Sequence, residues 1–597
     1  MPDQRYSVND YSVGNLLNWI QTKEIAIPEI QRPFVWQAAK VRDFIDSLYR
    51  GYPVGYLITW KAPDVRLKDG TQSIGQRILI DGQQRVISLE AALLGKKVVK
   101  KNYKQERIVI GFHPIEERFE VSNPVIKKDE GWISDISVLF DSNFKILHYL
   151  EKYCKVNDGV DRDEVFNRID RLQKIQGNSL GVVELQPELD IEKVTDIFVR
   201  INSKGITLNA SDFAMSKIAS EEKYNGPLYR KCIDYFCYLV SSPGAYSKLS
   251  ANSDFVQNEF FAKMKWLENW KNDLYKPSYT DLLRVIFMVG FKRGRLRDLV
   301  ALLSGRNFET RTFEDNIAED AFSRLENGLT RYINGVDFKR FVMILESAGF
   351  VDNSMINSVN TVNFAYGLYL MLRANGTTSQ EIDGLVQRWF VMSILTSRYT
   401  GSTETAFDED IRSIINRGTR EYLNVIDQTI LSDTFWNVAL PQQMETSSTK
   451  SPYFNVFLAS QVKENNKGFL SRDITVRTLL EGQKDIHHIF PRSYLQSHNF
   501  APKDYNQIAN LVVMQKEINI AIGNKSPSIY FKTLWDRCEV GESSYGRIDD
   551  SDELEINFDE HCIPSNMQTA TFENYPEFLE KRRKLMASKI RDYYKSL

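Results

Sequence analysis

The spacing of apolar residues changes along this chain of 597 residues, and this change constrains the fold more than any other feature. In roughly the first 220 residues, short β-rich runs alternate with segments of helical spacing. From about residue 221 to 430 the pattern is almost entirely helical, and from about 431 it is mixed again. The sequence therefore predicts a multidomain, helix-rich α+β protein with three regions, 1–220, 221–430 and 431–597.

Individual elements of the first region, which we expect to be an α/β or α+β domain, can be placed in the same way. Apolar residues at i, i+3, i+4 and i+7 predict a helix over 37–50, which ends at a glycine and a proline. A second helix is expected over 84–94, closed by Gly95. The strands expected here are 56–60, 77–80, 107–112 and 180–185.

Composition limits the class of protein. The chain is 42% hydrophobic and 26% charged, which is typical of a folded globular protein. Its formal net charge of -2 gives no global attraction to nucleic acid, so nucleic-acid binding must use a local basic surface. One basic cluster, 292–297, is either a solvated helix end or a phosphate-contact patch.

Cysteine content and hydropathy bear on location. The five cysteines form no Cys-x-x-Cys pair, so neither a disulfide framework nor a zinc knuckle is expected. The N-terminus is polar, and no apolar run approaches the roughly 20 residues needed to cross a bilayer. We expect a cytoplasmic protein without a membrane partner.

A pair of adjacent histidines, His487 and His488, ends a β-like run that Pro491 closes. Neighbouring side chains of a strand point to opposite faces, so one imidazole can bind a metal while the other activates water. A histidine pair alone is also compatible with a capped strand end. His498 and His561 lie outside this pattern and are expected at the surface.

Polar residues follow the histidine pair at defined spacings. Asn510 lies 22 residues after His488, Asn519 lies nine residues later, and Lys525 precedes a proline that suits the first position of a helix. Strand, loop, strand and then a short helix with a polar ligand is the ββα-metal layout, and the segment resembles the HNH nuclease family. Phosphodiester hydrolysis needs a base and a cation, and His488 is our candidate general base.

The HNH resemblance assigns roles to the remaining residues. It implies that His487 and Asn519 hold one divalent ion, usually Mg²⁺ with Mn²⁺ as an alternative. Asn510 would orient the loop or the base imidazole, and Lys525 would contact a phosphate. This domain lacks the cysteine pairs of the zinc-supported HNH proteins, so packing must hold it together.

A motif near residue 80 suggests phosphate binding. A predicted strand ends, a glycine permits a tight turn, and a helix begins with its N–H groups free, a geometry that binds anions. Arg85 suits a phosphate, and Asp81 suits magnesium or a polarised water. A hairpin or a helix-capping turn is the alternative. The candidate nucleotide-binding residues of this motif are Asp81, Gly82, Gln83, Gln84 and Arg85.

Two further segments add polar residues beside turns. Asn202 and Lys204 precede Gly205, which alone would indicate an ordinary helix stop. Gln31 and Arg32 precede a proline-stiffened turn. We include these four residues among the candidates for nucleotide binding.

These three segments resemble the N-terminal domain of the GmrSD family of modification-dependent restriction enzymes, which is similar to the ParB and sulfiredoxin-like fold. In that fold the box matching Asp81 to Arg85 binds nucleotide phosphates. The HNH segment is the other half of the same family, here in one chain. The chain has no Gly-x-x-x-x-Gly-Lys-Ser/Thr motif, so a conventional P-loop ATPase is excluded.

The resemblance implies a phage-defence endonuclease that binds and hydrolyses a nucleoside triphosphate (GTP, UTP or ATP). Its substrate class would be modified double-stranded phage DNA, such as DNA containing glucosylated hydroxymethylcytosine. Relatives of the SspE type instead sense phosphorothioate-modified host DNA and attack unmodified phage DNA, and the sequence does not separate the two. The family also suggests a homodimer, with a connecting or dimerising role for the helical middle.

Two other functions stay open at this point. A ParB-like, nucleotide-gated DNA clamp with an idle HNH fold would change its DNA affinity with nucleotide but cut no strand. An RNA-cutting toxin would share the metal chemistry and differ only in substrate.

Overall fold

The computed structural model describes residues 5–22, 24–26, 34, 36–61, 65–66, 72–73, 77–99, 105–141, 143–186, 189, 197, 210–252, 254–310, 312–482 and 486–597. The chain divides into two compact units, Met1–Gln257 with Val300–Phe322, and Asn258–Leu299 with Ser323–Leu597. The fold is helix-rich α+β with small sheets, as the sequence predicts. The division into three functional regions stays a prediction. Four predicted site residues lie outside the described residues: Gln31, Arg32, Asn202 and Lys204.

The first unit contains all but two of the described strands. They are β1 (Tyr6–Ser12), β2 (Ile25–Ala26), β3 (Leu57–Lys61), β4 (Val65–Arg66), β5 (Gln72–Ser73), β6 (Arg77–Asp81), β7 (Lys97–Val99), β8 (Gln105–Arg107), β9 (Ile110–His113), β10 (Arg118–Val121) and β11 (Ser179–Leu185). The α-helices described before residue 258 are α1 (Val13–Gln21), α2 (Ala38–Tyr49), α3 (Gln83–Leu93), α4 (Ile146–Val156), α5 (Arg162–Gln173), α6 (Ala210–Ser220), α7 (Gly226–Ser241) and α8 (Tyr246–Asn252).

A five-stranded mixed sheet organises this unit, with the strand order β1-β11-β3-β6-β2. β3 runs parallel to β11 and antiparallel to β6, and its register with β6 shifts between Ile58 and Thr59. Helices α1, α2 and α3 share one hydrophobic core with alternate residues of the central strands, such as Leu57, Leu79 and Val182. The sheet therefore fixes where β6 ends and where α3 begins.

Most of the predicted elements of the first region are present. The helix over 37–50 corresponds to α2, and the strands at 56–60, 77–80 and 180–185 correspond to β3, β6 and β11. The single strand predicted at 107–112 is wrong, because β8 and β9 are separate and belong to different two-stranded sheets. The Arg107 side chain donates to the carbonyl oxygen of Ala91 at 2.8 Å and pairs with Asp135 at 2.8 Å, and the chain leaves the strand there.

The rest of the chain is mainly helical. The α-helices described are α9 (Glu259–Lys263), α10 (Tyr279–Ile286), α11 (Leu296–Leu303), α12 (Asp315–Tyr332), α13 (Gly335–Ser347), α14 (Val359–Ala374), α15 (Ser379–Leu395), α16 (Thr403–Arg417), α17 (Thr419–Thr429), α18 (Leu440–Gln443), α19 (Pro452–Lys463), α20 (Val476–Glu481), α21 (Arg492–Ser497), α22 (Pro502–Tyr505), α23 (Lys516–Ile522), α24 (Pro527–Cys538), α25 (Ser551–Glu560) and α26 (Tyr575–Ser596). π-Helical turns follow α10, over Phe287–Phe291, and precede α18, over Phe435–Ala439. Two short strands, β12 (Ile486–His488) and β13 (Leu511–Val513), form a separate two-stranded sheet.

Within the described residues, no helix has the length and apolar character needed to span a bilayer.

His561 is fully buried in the second unit, so the expectation that it lies at the surface is wrong. Its Nε2 atom lies 2.8 Å from the carbonyl oxygen of Lys467, and its Nδ1 atom lies 3.2 Å from the amide nitrogen of Gln461. Burial is the main reason that the pKa of His561 falls to about 3. The ring is therefore neutral in the folded protein at any physiological pH.

The buried imidazole makes the stability of the second unit depend on pH. Because the folded pKa is lowered, the unfolded chain takes up the proton first, and stability falls as the pH drops below the ordinary histidine value of 6.5. We expect the urea midpoint of unfolding to decrease between about pH 7 and about pH 5, and to decrease less in His561→Gln. An equal decrease in both proteins would contradict this assignment.

Candidate functional site

The histidine pair lies on a β-hairpin. β12 and β13 are antiparallel, with His487 opposite Val512 and His488 opposite Leu511. Both imidazoles are half-buried, whereas the three residues of β13 are fully buried. Adjacent residues of a strand project to opposite faces, so the two rings serve different sides of the hairpin. α24 begins at Pro527 and follows the hairpin, as the sequence predicts.

Asn510 fixes the connection between the two strands. Its fully buried side chain donates from Nδ2 to the carbonyl oxygens of Phe490 at 3.2 Å and Tyr505 at 3.0 Å. Its Oδ1 accepts from the backbone N–H of Phe490 at 2.8 Å. These three bonds hold the chain immediately after the histidine pair. Two roles were predicted for Asn510, orienting the loop or orienting the base imidazole. The contacts described here are with the loop.

A buried arginine holds the backbone on both sides of Asn510. Nη1 of Arg582, on α26, donates to the carbonyl oxygens of Ala509 and Leu511, each at 2.8 Å. Its Nε and Nη2 atoms donate to the carbonyl oxygen of His561. The side chain is fully buried, and desolvation is the main reason that the pKa of Arg582 falls to about 10, so the guanidinium remains charged at neutral pH.

His488 is held beside a polar and an aromatic neighbour. Its Nε2 atom lies 3.0 Å from Oδ1 of Asn506, and its ring packs edge-on against Tyr505. Because an amide oxygen only accepts, the ring hydrogen belongs on Nε2 and the lone pair on Nδ1. Burial lowers the pKa of His488, and the charge of Arg492 lowers it further against the opposing effect of Asn506. The imidazole is therefore neutral near pH 7, as a general base must be.

The other predicted residues of this segment lie after β13. Asn519 is half-buried on α23. Lys525 lies two residues before α24, where its Nζ donates to the carbonyl oxygen of Ala521 at 2.9 Å. The neighbouring Asn524 accepts a hydrogen bond from Ser493, which brings this turn to the helix that follows the histidine pair.

The described contacts do not join all of these residues. In the part of the chain that the structure describes, no hydrogen bond links His487, Asn519 and Lys525 to one another. The described residues also contain no group of three or more His, Cys, Asp or Glu side chains suited to a metal. His487 and Asn519 remain the predicted ligands of a metal at this hairpin.

A second candidate site lies where β6 gives way to α3. Gly82 occupies the N-cap position with a left-handed φ of 97°, and it supplies no side chain to cap the helix. A Cβ atom on Gly82 would lie 2.2 Å from Cδ2 of Leu57. The turn therefore requires glycine both for its left-handed backbone and for the lack of space beside Leu57. The predicted strand, glycine turn and helix are present, and the first N–H groups of α3 have no side-chain cap.

Arg85 and Asp81 flank this helix start. Nη1 of Arg85 donates to the carbonyl oxygen of Tyr56 at 2.9 Å and lies 3.7 Å from Oδ2 of Asp81. The guanidinium lies close to Gly55, where a Cβ atom would be 3.0 Å from Nη2. Both charged side chains are partly exposed, which leaves several of the five guanidinium N–H groups available to a ligand.

The two glutamines of the motif differ in their surroundings. Gln84 is buried, and its Oε1 accepts from the backbone N–H of Trp36 at 3.3 Å. Gln83 is also buried, with 3% of its surface exposed, yet neither its Nε2 nor its Oε1 has a hydrogen-bond partner among the described residues. An unpartnered buried amide typically costs about 1–3 kcal/mol. Such a group at an uncapped helix start is suited to a polar ligand.

Sequence reasoning missed two residues of the hairpin site. Asn506 lies in the loop between the strands, and nothing in the local pattern distinguishes it. Arg582 stands in a run of four basic residues, 581–584, but it lies four residues after Phe578 and four before Met586, both buried. That helical spacing places Arg582 on the apolar face of α26, and it is the signal that could have found it.

A family model and a relative are similar to parts or most of this chain. Residues 13–219 match the family model described as the N-terminal domain of GmrSD restriction endonucleases, and this match includes the motif Asp81 to Arg85. The matching family thus points to a restriction endonuclease, an enzyme class that acts on DNA. The chain is also similar to the uncharacterized protein MJ0686 of Methanocaldococcus jannaschii, with 22% identity over 97% of this chain and 98% of the relative.

The hydrogen bonds of Asn510 and the position of Asn519 predict different effects of mutation. Asn510→Ala should lower the free energy of unfolding by about 3 kcal/mol, because it leaves one N–H and two carbonyl groups buried without partners. Asn519→Ala should change it by less than about 0.5 kcal/mol. Urea unfolding of both variants checks this, and similar losses would contradict the difference in their roles.

Proposed function

We propose that the protein is a metal-dependent DNA endonuclease whose HNH-type site lies on the β12–β13 hairpin. The observation that carries the proposal is the rigid attachment of this hairpin. Asn510 binds the backbone just after His487 and His488, while Arg582 binds the carbonyl oxygens on both sides of Asn510. A nuclease needs its base fixed relative to the scissile phosphate, because small displacements reduce the rate strongly.

His488 is the proposed general base. Its Nε2–H donates to Asn506, so the Nδ1 lone pair is the position that accepts the proton of the attacking water. Burial keeps the ring neutral and ready to accept that proton. Asn506 then has the role of holding the ring in one orientation, as a second group commonly does for a catalytic histidine.

The proposed metal ligands are the imidazole of His487 and the amide oxygen of Asn519. A divalent ion bound there would stabilise charge on the phosphorane and on the leaving oxygen. Both donors are neutral, a set that suits Mn²⁺ and also Mg²⁺ when waters and a substrate phosphate complete the coordination. With no carboxylate in this set, the DNA phosphate itself supplies the negative charge that holds the ion. Lys525 is proposed to contact a neighbouring phosphate.

The N-terminal site is proposed to bind a nucleoside triphosphate (GTP, UTP or ATP) that regulates cleavage. The uncapped start of α3 offers N–H groups to a phosphate, Arg85 offers a guanidinium, and the buried Gln83 offers an amide without a partner. Asp81 is suited to the ion that accompanies a triphosphate. The proposed DNA substrate is modified phage DNA, with phosphorothioate sensing of the SspE type as the alternative.

Cleavage by the wild-type protein and by His488→Ala tests the nuclease assignment. With Mg²⁺ or Mn²⁺, the wild type should cut DNA of one modification class, and the variant should lose at least about 100-fold in rate because it lacks the proton acceptor. His148→Ala, which removes an exposed imidazole on α4, is the matched control and should cut normally. The substrates are plasmid and phage DNA, unmodified, glucosylated and phosphorothioated, together with an RNA, each with and without each triphosphate.

The outcomes separate the proposed nuclease from the other functions. Full cutting by His488→Ala would refute its role as the base. Nucleotide-dependent binding of DNA without cutting by any protein would support the clamp, and cutting of RNA alone would support the toxin.

Gln83 gives a separate test of the nucleotide site. Gln83→Leu removes an unpartnered buried amide, so without nucleotide it should be as stable as the wild type or more stable by about 1 kcal/mol. It should nevertheless lose the rise in Tm that GTP, UTP or ATP gives the wild type. The control Gln84→Leu removes an acceptor for Trp36 and should be destabilised. A destabilised Gln83→Leu with a normal nucleotide response would contradict the assignment.

A further inference from the structure

The cluster of cations at 292–297 has no role in either site described above. We name residues 292–297 the basic turn. It follows the π-helical turn after α10 and leads into α11, and its charged residues are Lys292, Arg293, Arg295 and Arg297. Arg331, in the last turn of α12, adds a fifth cation, close enough to Lys292 to act on its charge.

The backbone of the basic turn is held rigidly. Lys292 has a left-handed φ of 57°, and its N–H donates to the carbonyl oxygen of Met288. Gly294 packs so closely on α16 that a Cβ atom there would lie 2.6 Å from Cβ of Phe407. The N–H of Gly294 also donates to the carboxylate of Asp408.

The carboxylates near the turn lie beneath the arginines. Arg295 pairs with Asp408 at 3.1 Å, and Arg293 pairs with Asp298 at 3.4 Å. The arginine side chains are 43% and 37% exposed for Arg293 and Arg295, whereas Asp298 and Asp408 are 21% and 14% exposed. The surface that faces solvent is therefore positive.

Three of the five cations have a distant carboxylate partner or none among the described residues. Arg297 is 72% exposed and lies 3.9 Å from Asp298, which Arg293 already uses. Lys292 and Arg331 have no carboxylate within 4 Å among the described residues. Glu404, a third acid nearby, is half-buried and accepts a hydrogen bond from the backbone of Leu296. Burial is the main reason that the pKa of Lys292 is lowered, and the neighbouring charge of Arg331 lowers it further.

We propose that the basic turn, together with Arg331, is a contact surface for the phosphate backbone of double-stranded DNA. This inference rests on the proposed function as a DNA nuclease. The guanidiniums lie over two different acids, Asp298 for Arg293 and Arg297 and Asp408 for Arg295, and this spread matches a row of phosphates better than a single anion. Such contacts position the duplex without reading its sequence. They also supply the local basic surface that a chain of net charge -2 needs.

The test measures how salt affects DNA binding. A short labelled duplex is titrated with the full-length His488→Ala protein, which is not expected to cut it, and with the same protein carrying Lys292→Gln and Arg297→Gln. Each phosphate contact adds about 0.9 to the slope of log K against log salt, so the slope should fall by about two, with about a tenfold loss of affinity at low salt. The control carries Lys263→Gln and Lys271→Gln, which remove two exposed lysines of the same unit.

The outcomes distinguish the basic turn from the nuclease itself. If the variant with Lys292→Gln and Arg297→Gln has an unchanged slope while the wild type cuts DNA, the proposed role of the basic turn is wrong. The proposed nuclease function would stand. An equal loss in the lysine control would also overturn it, because general charge would then explain the effect. GTP binding should be the same in all the proteins, and its selective loss would assign the turn to a free nucleotide. A wild type that neither binds nor cuts DNA would overturn both proposals.

Discussion

The candidate nuclease hairpin depends on one buried guanidinium. Arg582 binds carbonyl oxygens of Ala509, Leu511 and His561, and Asn510 lies between the first two. Transfer of a charged group from water into the protein interior costs free energy. Several well-placed hydrogen bonds are needed to offset this desolvation. Two strands of three residues would be marginal alone, so their position comes from this cation and from the packing around it. The histidines are thus held by residues that take no part in the chemistry.

Much of the fold could be predicted because its signals are local. The apolar spacing that gives α2 and the glycine that ends β6 act within a few residues, and both were placed correctly from the sequence. The predicted strand at 107–112 fails for a different reason. Its β-rich pattern continues, but Arg107 binds Ala91 and Asp135, which lie 16 and 28 positions away. A local pattern carries no information about such partners.

The candidate site also combines residues that local motifs reveal with residues that only the folded chain brings together. The histidine pair, the two asparagines and the motif at Asp81 are visible because motifs are short and ordered. Arg582 acts on backbone groups 71 and 73 positions away, so only the folded chain brings it to Asn510. Its placement also shows that a run of basic residues can hide a buried member, which the helical period of α26 reveals more reliably than charge does.

The contribution of α26 also sets an order of assembly during synthesis. The hairpin and its histidines leave the ribosome well before residues 575–596, which form α26 and carry Arg582. Until that helix is complete, the carbonyl groups on either side of Asn510 have no guanidinium to bind. A growing chain therefore carries every residue of the candidate catalytic centre without the support that fixes it. If the hairpin is the proposed nuclease site, this order delays a fully formed cutting site until residues 575–596 have been made.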